Sequence, residues 1–104
     1  MRHAFKLNIR PGSEEEYERR HRAVYPQLLQ VFRDAGVRSY SIFREGTTLF
    51  AYMEMDDLEK TMRMINQAEV NTKWQLFMAD ILLPIETEKR MVPLTEVFHF
   101  ENLT

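Results

Sequence analysis

The chain has 104 residues, 44% of them hydrophobic, with 14 basic and 16 acidic side chains and a formal charge of −2 at pH 7. That length holds one domain over residues 1–104, and because acidic and basic residues are mixed along it, no basic stripe points to a nucleic-acid partner. No run approaches the ~18 apolar residues of a membrane span, no cysteine is present for a disulfide or thiolate metal site, and Met1-Arg2-His3-Ala4 leads into a strand pattern instead of a signal segment, so a cytoplasmic protein without a membrane partner is expected.

From His3 to Arg10 the residues alternate, with Phe5, Leu7 and Ile9 on one side and Lys6 and Asn8 on the other, which predicts a first strand. Pro11-Gly12 turns the chain, and Ser13-Glu14-Glu15-Glu16 has the form of a capping box. Tyr17, His21, Val24, Tyr25, Leu28 and Phe32 then recur at steps of three and four until Gly36. This predicts one long helix, kinked beside His21 by Pro26. Val37–Arg44 and Leu49–Met55 alternate around Glu45-Gly46-Thr47-Thr48 and read as a hairpin. Asp56-Asp57 caps a helix from about Leu58 to Gln67. After a break at Ala68-Glu69 a further helical stretch carries Val70, Trp74, Phe77, Met78 and Ile81 up to Pro84. Residues 85–93 read as a charged loop and Leu94–Phe100 as a last strand.

The order is β-α-β-β-α-β with a split second helical region, the ferredoxin-like α+β pattern. It predicts one antiparallel four-stranded sheet with helices on one face. The other face would present Val37 and Phe43 with either Phe98 and Phe100 or Val97. An uncovered apolar face of that kind predicts pairing of two sheets in a homodimer.

Tyr17 and His21 are four residues apart on one helix face and approach a small ligand from one side, although Tyr and His are often half-buried without a function. A histidine with an ordinary pKa near ~6.5 serves as acid or base at neutral pH. Tyr40 shares a strand face with Ile42, and Trp74, the only tryptophan, is either the core anchor of its helix or a platform for a sugar ring. Aromatic faces with a phenol and an imidazole would make a carbohydrate pocket. His3 and His99 fall near opposite ends of neighbouring strands and could face each other, but no third ligand or His-x-His spacing accompanies them, so no metal site is expected.

Glu15-Glu16-Tyr17-Glu18-Arg19-Arg20-His21, followed by Tyr25-Pro26-Gln27-Leu28, resembles the L-rhamnose mutarotase family, which usually has Trp-Pro-Glu-Leu at the second motif. The likeness continues through Gly36, Tyr40-Ser41-Ile42, Leu49-Phe50-Ala51, Lys73-Trp74, Met78-Ala79-Asp80 and Leu94-Thr95-Glu96-Val97-Phe98. It implies a dimeric α+β barrel that interconverts the anomers of a sugar without cofactor or metal. It also implies that His21 is the proton donor and that Tyr17, Tyr40 and Trp74 bind the substrate. The chain departs from the family at Gln75, where a second tryptophan is common, and over residues 85–90, where the family has an Asn-Pro-Asp-Asn-Ser-Pro loop. Two other readings fit the same pattern: a different cofactor-free enzyme of this fold, such as a monooxygenase or isomerase, and a non-catalytic sugar-binding module.

Overall fold

In the computed structural model of the chain, residues 1–83 and 91–103 are described. The elements are β1 (Arg2–Ile9), α1 (Glu14–His21), α2 (Pro26–Asp34), β2 (Ser39–Glu45), β3 (Thr48–Glu54), α3 (Leu58–Gln67), α4 (Glu69–Met78), β4 (Leu82–Leu83) and β5 (Val92–Leu94). The sheet is antiparallel in the order β2-β3-β1-β4. β5 joins the same free edge of β1: β4 pairs with Asn8 and Ile9, and β5 pairs with Ala4 to Lys6. This is the ferredoxin-like α+β arrangement, with the fourth strand position shared by two short strands. Strand alternation puts Phe5, Leu7 and Ile9 of β1 and Leu49, Ala51 and Met53 of β3 on one face. There they are buried with Leu28 of α2, Ile65 of α3, and Trp74 and Met78 of α4.

The predicted kinked helix is two helices. Pro26 has no N–H and its ring crowds a preceding turn, so Tyr25 takes an extended conformation (φ −53°, ψ 125°) and Pro26 begins α2 at its first position. The chain leaves α1 through turns in which Arg22 N–H donates to Glu18 and Arg19 and Ala23 N–H to Arg20. His21 is thereby the last residue of α1 rather than a point inside a continuous helix. At the other end of α1, Ser13 makes no side-chain cap. Glu16 instead accepts from Arg19 and Arg20, which leaves its carboxylate no part in a capping box. α2 stops as predicted at Gly36, whose φ of 89° is left-handed and lets Val37 N–H bond back to Phe32 at 3.0 Å.

The hairpin closes around Gly46 and Thr47, with Glu45 opposite Thr48. Asp57 caps α3 by accepting from Lys60 N–H at 3.1 Å, and the buried Thr61 hydroxyl donates to the Ala35 carbonyl at 2.6 Å, fastening α3 to the end of α2. α4 ends at Met78, earlier than its apolar spacing suggests, because Ile81 serves the turn into β4. Of the loop expected over residues 85–93, residues 85–90 lie outside the described residues and Val92 and Pro93 belong to β5. No helix among the described residues is long and apolar enough to cross a membrane.

The last strand sits earlier than predicted. Leu94 lies opposite Ala4, so continuing that register reaches Arg2, the first residue of β1, at Glu96. The two are joined there by a bidentate ion pair with both contacts at 2.9 Å. Beyond it the alternating Val97 to Phe100 have no strand to pair with, and Val97, Phe98 and Phe100 are exposed. His99 lies past the position opposite His3. The sheet's second face carries Phe43 directly across from Phe50, both exposed. Val37 is not on that surface; it packs against the core.

Candidate functional site

Two ion pairs hold α1 in place. Arg20, nearly buried, donates to Glu16 on its own helix, to Asp80 just beyond α4 (2.9 Å) and to the Phe77 carbonyl (2.8 Å), with its guanidinium 4.4 Å from the centre of the Phe77 ring. Arg44 of β2 reaches Glu18 on another side of α1 at 2.6 Å. The guanidinium partners hold Glu16 down at about 2, and Arg44 lowers Glu18, so both carboxylates stay ionised. α1 is thus tied to the end of α4 and to the sheet. The face bearing Tyr17 and His21 is turned inward between them.

The four residues singled out in the sequence come together there. The rings of Tyr17 and His21 stack with centres 4.1 Å apart, as expected for an i, i+4 pair. His21 meets Trp74 edge to face at 5.4 Å. Tyr40 approaches from β2, and Phe5, two strands away, meets its ring edge to face at 6.4 Å. Ala51 of β3 stands opposite Phe5 on one side and Ile42 on the other, and Tyr40, opposite Met53, meets Phe5 on the diagonal. All four border a cavity of about 420 Å³, floored by Phe5, Leu7 and Ile42 and closed by Met78, Leu82 and Met91.

The His21 Nδ1 lies 3.0 Å from the Tyr17 backbone carbonyl. A carbonyl only accepts, so Nδ1 carries the proton and Nε2 is the nitrogen left for chemistry. Burial pushes the His21 pKa below its usual value, partly offset by that hydrogen bond. The resting ring is therefore neutral at pH 7. Burial also raises both tyrosines, Tyr40 to about 12, and Tyr17 upward with a further push from Tyr40. They remain phenols, equipped to donate a hydrogen bond to a ligand and not to act as bases. Among the described residues Nε2 of His21, the two hydroxyls and the Trp74 indole N–H have no hydrogen-bond partner, yet none is sealed from solvent. They open on the cavity.

Sequence reasoning did not single out Tyr25, which supports the site from behind Trp74 without bordering the cavity. Tyr25, displaced from the helix by the proline that follows it, stands edge-on to Trp74 at 5.0 Å and forms an aromatic cluster with it and Phe77. Gln75, the position at which the chain departs from the family, borders the cavity itself. It does so although it is the next residue on the helix after Trp74, because the cleft wraps around α4. His3 takes no part and lies against Phe5 with ring centres 5.5 Å apart. Among the described residues no group of three or more His, Cys, Asp or Glu side chains comes together.

Residues 2–100 match the family described as L-rhamnose mutarotase. A protein of that name from Bacteroides thetaiotaomicron is 37% identical over 103 residues, covering 96% of this chain and 98% of its own. The crystal structure of an L-rhamnose mutarotase from Formosa agariphila superposes with a TM-score of 0.80 at 36% identity, over 97% of this chain and 99% of that one. Tetracenomycin F2 cyclase of Streptomyces glaucescens, a polyketide cyclase, is 20% identical with a TM-score of 0.65 over 100% and 99% of the two chains, a likeness of fold alone.

Proposed function

The chain belongs to the L-rhamnose mutarotase family and is an isomerase that interconverts anomers of L-rhamnose, and we propose that it does so in the aromatic cavity between α1, α4 and the sheet, with His21 moving the proton at the ring oxygen. The observation that carries this assignment is the state of the imidazole. Its Nδ1–H is held by the Tyr17 carbonyl, so Nε2 is the nitrogen free to meet a ligand.

Anomer exchange breaks the bond between the anomeric carbon and the ring oxygen and remakes it on the other face of the carbonyl. The ring oxygen must gain a proton and the anomeric hydroxyl lose one. In this reading Nε2 of His21, unprotonated in the resting ring, first takes up a proton, and the imidazolium so formed gives it to the ring oxygen while water takes the anomeric proton. The aldehyde turns about its bond to the next carbon, the neutral imidazole takes its proton back as the hydroxyl adds, and the protonated water returns its proton to the new anomeric oxygen. The anomeric carbon has the same oxidation level in both anomers, so the step transfers no electrons. Tyr17 and Tyr40, kept as phenols by burial, orient sugar oxygens, and Trp74 forms a wall for the C–H face of the ring.

The same proposal includes a homodimer. Phe43 is 67% exposed beside Phe50, and Phe98 and Phe100 are exposed in the C-terminal segment. An apolar surface of this kind is what a second copy of the sheet would cover. A single domain over residues 1–104 and a cytoplasmic location, in keeping with the absence of cysteine, complete it. Among other small-molecule enzymes of this fold, an oxygenase or cyclase reading has only fold likeness behind it.

Exchange NMR on L-rhamnose tests the assignment. The protein is expected to transfer saturation between the α and β signals, and His21→Asn to slow that transfer by ~10²–10⁴-fold while circular dichroism stays unchanged. A wild-type protein that only broadens the sugar lines is a binding module, and a His21→Asn variant with full activity removes His21 from the reaction.

A further inference from the structure

The cavity at His21 does not end at the proposed sugar site. It continues into a second space of about 360 Å³ that shares His21, Tyr40, Trp74 and Gln75 with the first and runs outward between α2 and the α3–α4 pair. Its floor is apolar, with Leu28, Phe32, Met53 and Ile65 among the lining. Along it stand the carboxamides of Asn66, Asn71 and Gln75, none of which has a hydrogen-bond partner among the described residues. Among the described residues no Asp, Glu, Lys or Arg side chain belongs to the lining.

We infer that this second space is a subsite for a sugar attached to the rhamnose, so that the protein also exchanges the anomers of rhamnose at the reducing end of a disaccharide. The inference rests on the reading of the first site given above. Three uncharged amides over an apolar floor suit a neutral ligand with hydroxyls on its edges and C–H groups on its face. Each amide offers two donors and an acceptor, and an ionic ligand would find no counter-charge among the described residues of the lining. The chemistry limits where the second sugar is joined. The anomeric hydroxyl must be free for the ring to open, so the link runs through another hydroxyl of the rhamnose. Because the two spaces meet at His21 and Trp74, a substituent on a ring bound against those residues passes directly into the second space.

Exchange NMR on three disaccharides decides it, each with L-rhamnose at a free reducing end and carrying a glucosyl group on O2, O3 or O4, run beside L-rhamnose. At least one is expected to exchange with a kcat/KM within about tenfold of L-rhamnose. The double substitution Asn66→Leu with Asn71→Leu is expected to lower that value by about tenfold or more, the scale of losing hydrogen bonds between uncharged groups. Exchange of L-rhamnose by the same variant should stay within about twofold, which also shows that the variant is folded. If none of the three disaccharides is accelerated while L-rhamnose is, the subsite is overturned and the first site stands. A double variant that loses neither activity overturns the placement at the amides, and failure of wild type on L-rhamnose itself overturns the reading of the first site and this one with it.

Discussion

On the face of the sheet that meets the helices, Phe5, Tyr40 and Ile42 stand beside Tyr17, His21 and Trp74 and enclose a cavity; on the opposite face Phe43 and Phe50 stand in register across β2 and β3, both left exposed by the described residues. The strands are the same and the aromatic content is similar. What differs is the cover. Four helices exclude water from the first face, and they leave a gap where α1 stops at His21 and α2 restarts at Pro26. No helix among the described residues covers the second face, and the C-terminal segment is tied to β1 at Glu96 and exposed beyond it. The lesson is that an aromatic strand residue becomes part of a site or part of an interface according to what its neighbours bury.

The sharpest way to break the comparison is to cut one side chain from each face. Leu49→Ala on the covered face leaves a cavity in the core, because Leu49 is fully buried, and is expected to lower the unfolding free energy by about 2–5 kcal/mol in urea. Phe43→Ser on the open face is expected to change monomer stability by no more than about 0.5 kcal/mol while shifting the sedimentation mass from dimer toward monomer. Equal losses of stability from the two substitutions would mean that the faces do not differ as described.

A smaller effect is expected where the covered face meets ligand. Gln75 borders both parts of the cleft, and Gln75→Trp replaces an amide with a stacking surface. The ratio of exchange rates for L-rhamnose over its 6-hydroxylated counterpart is expected to rise, by no more than the ~1–3 kcal/mol that an apolar pocket gains from one small group. An unchanged ratio would place residue 75 outside the contact with that carbon.

The mildest probe is pH. Burial lowers the His21 pKa from its ordinary value of 6.5, so the imidazolium that the proposed mechanism uses to protonate the ring oxygen is lost as pH rises through a value below 6.5. The kcat/KM for exchange is then expected to fall by up to about tenfold per unit above that point. Stability moves the other way. The unfolded chain binds the His21 proton more readily than the folded one, so acid below about 6.5 favours unfolding. A rate that climbs with pH across this window would make His21 the base for the anomeric hydroxyl instead.

Much of this was legible in local pattern. Period-two alternation located β1 and the hairpin, Gly36 marked the end of α2, and the i, i+4 spacing of Tyr17 and His21 already put both on one face, because these depend on residues a turn or a strand apart. Pairing and cover are not local. The alternation of Val97 to Phe100 promised a strand, but β1 begins at Arg2 and supplies no partner beyond Glu96. Pro26 was visible as a disruption, yet whether it would bend a helix or start a new one depended on where Tyr25 could pack, and the contact with Trp74, 49 positions away, is set by the tertiary fold. The sequence alone determined which residues could do chemistry and which strand and helix faces they lie on. Only the three-dimensional arrangement, through the Arg20–Asp80 and Glu18–Arg44 ties that seat α1 against α4 and the sheet, decided that Tyr17, His21, Tyr40 and Trp74 share one cavity, because the free energy of burying them together comes from contacts between segments distant in the chain.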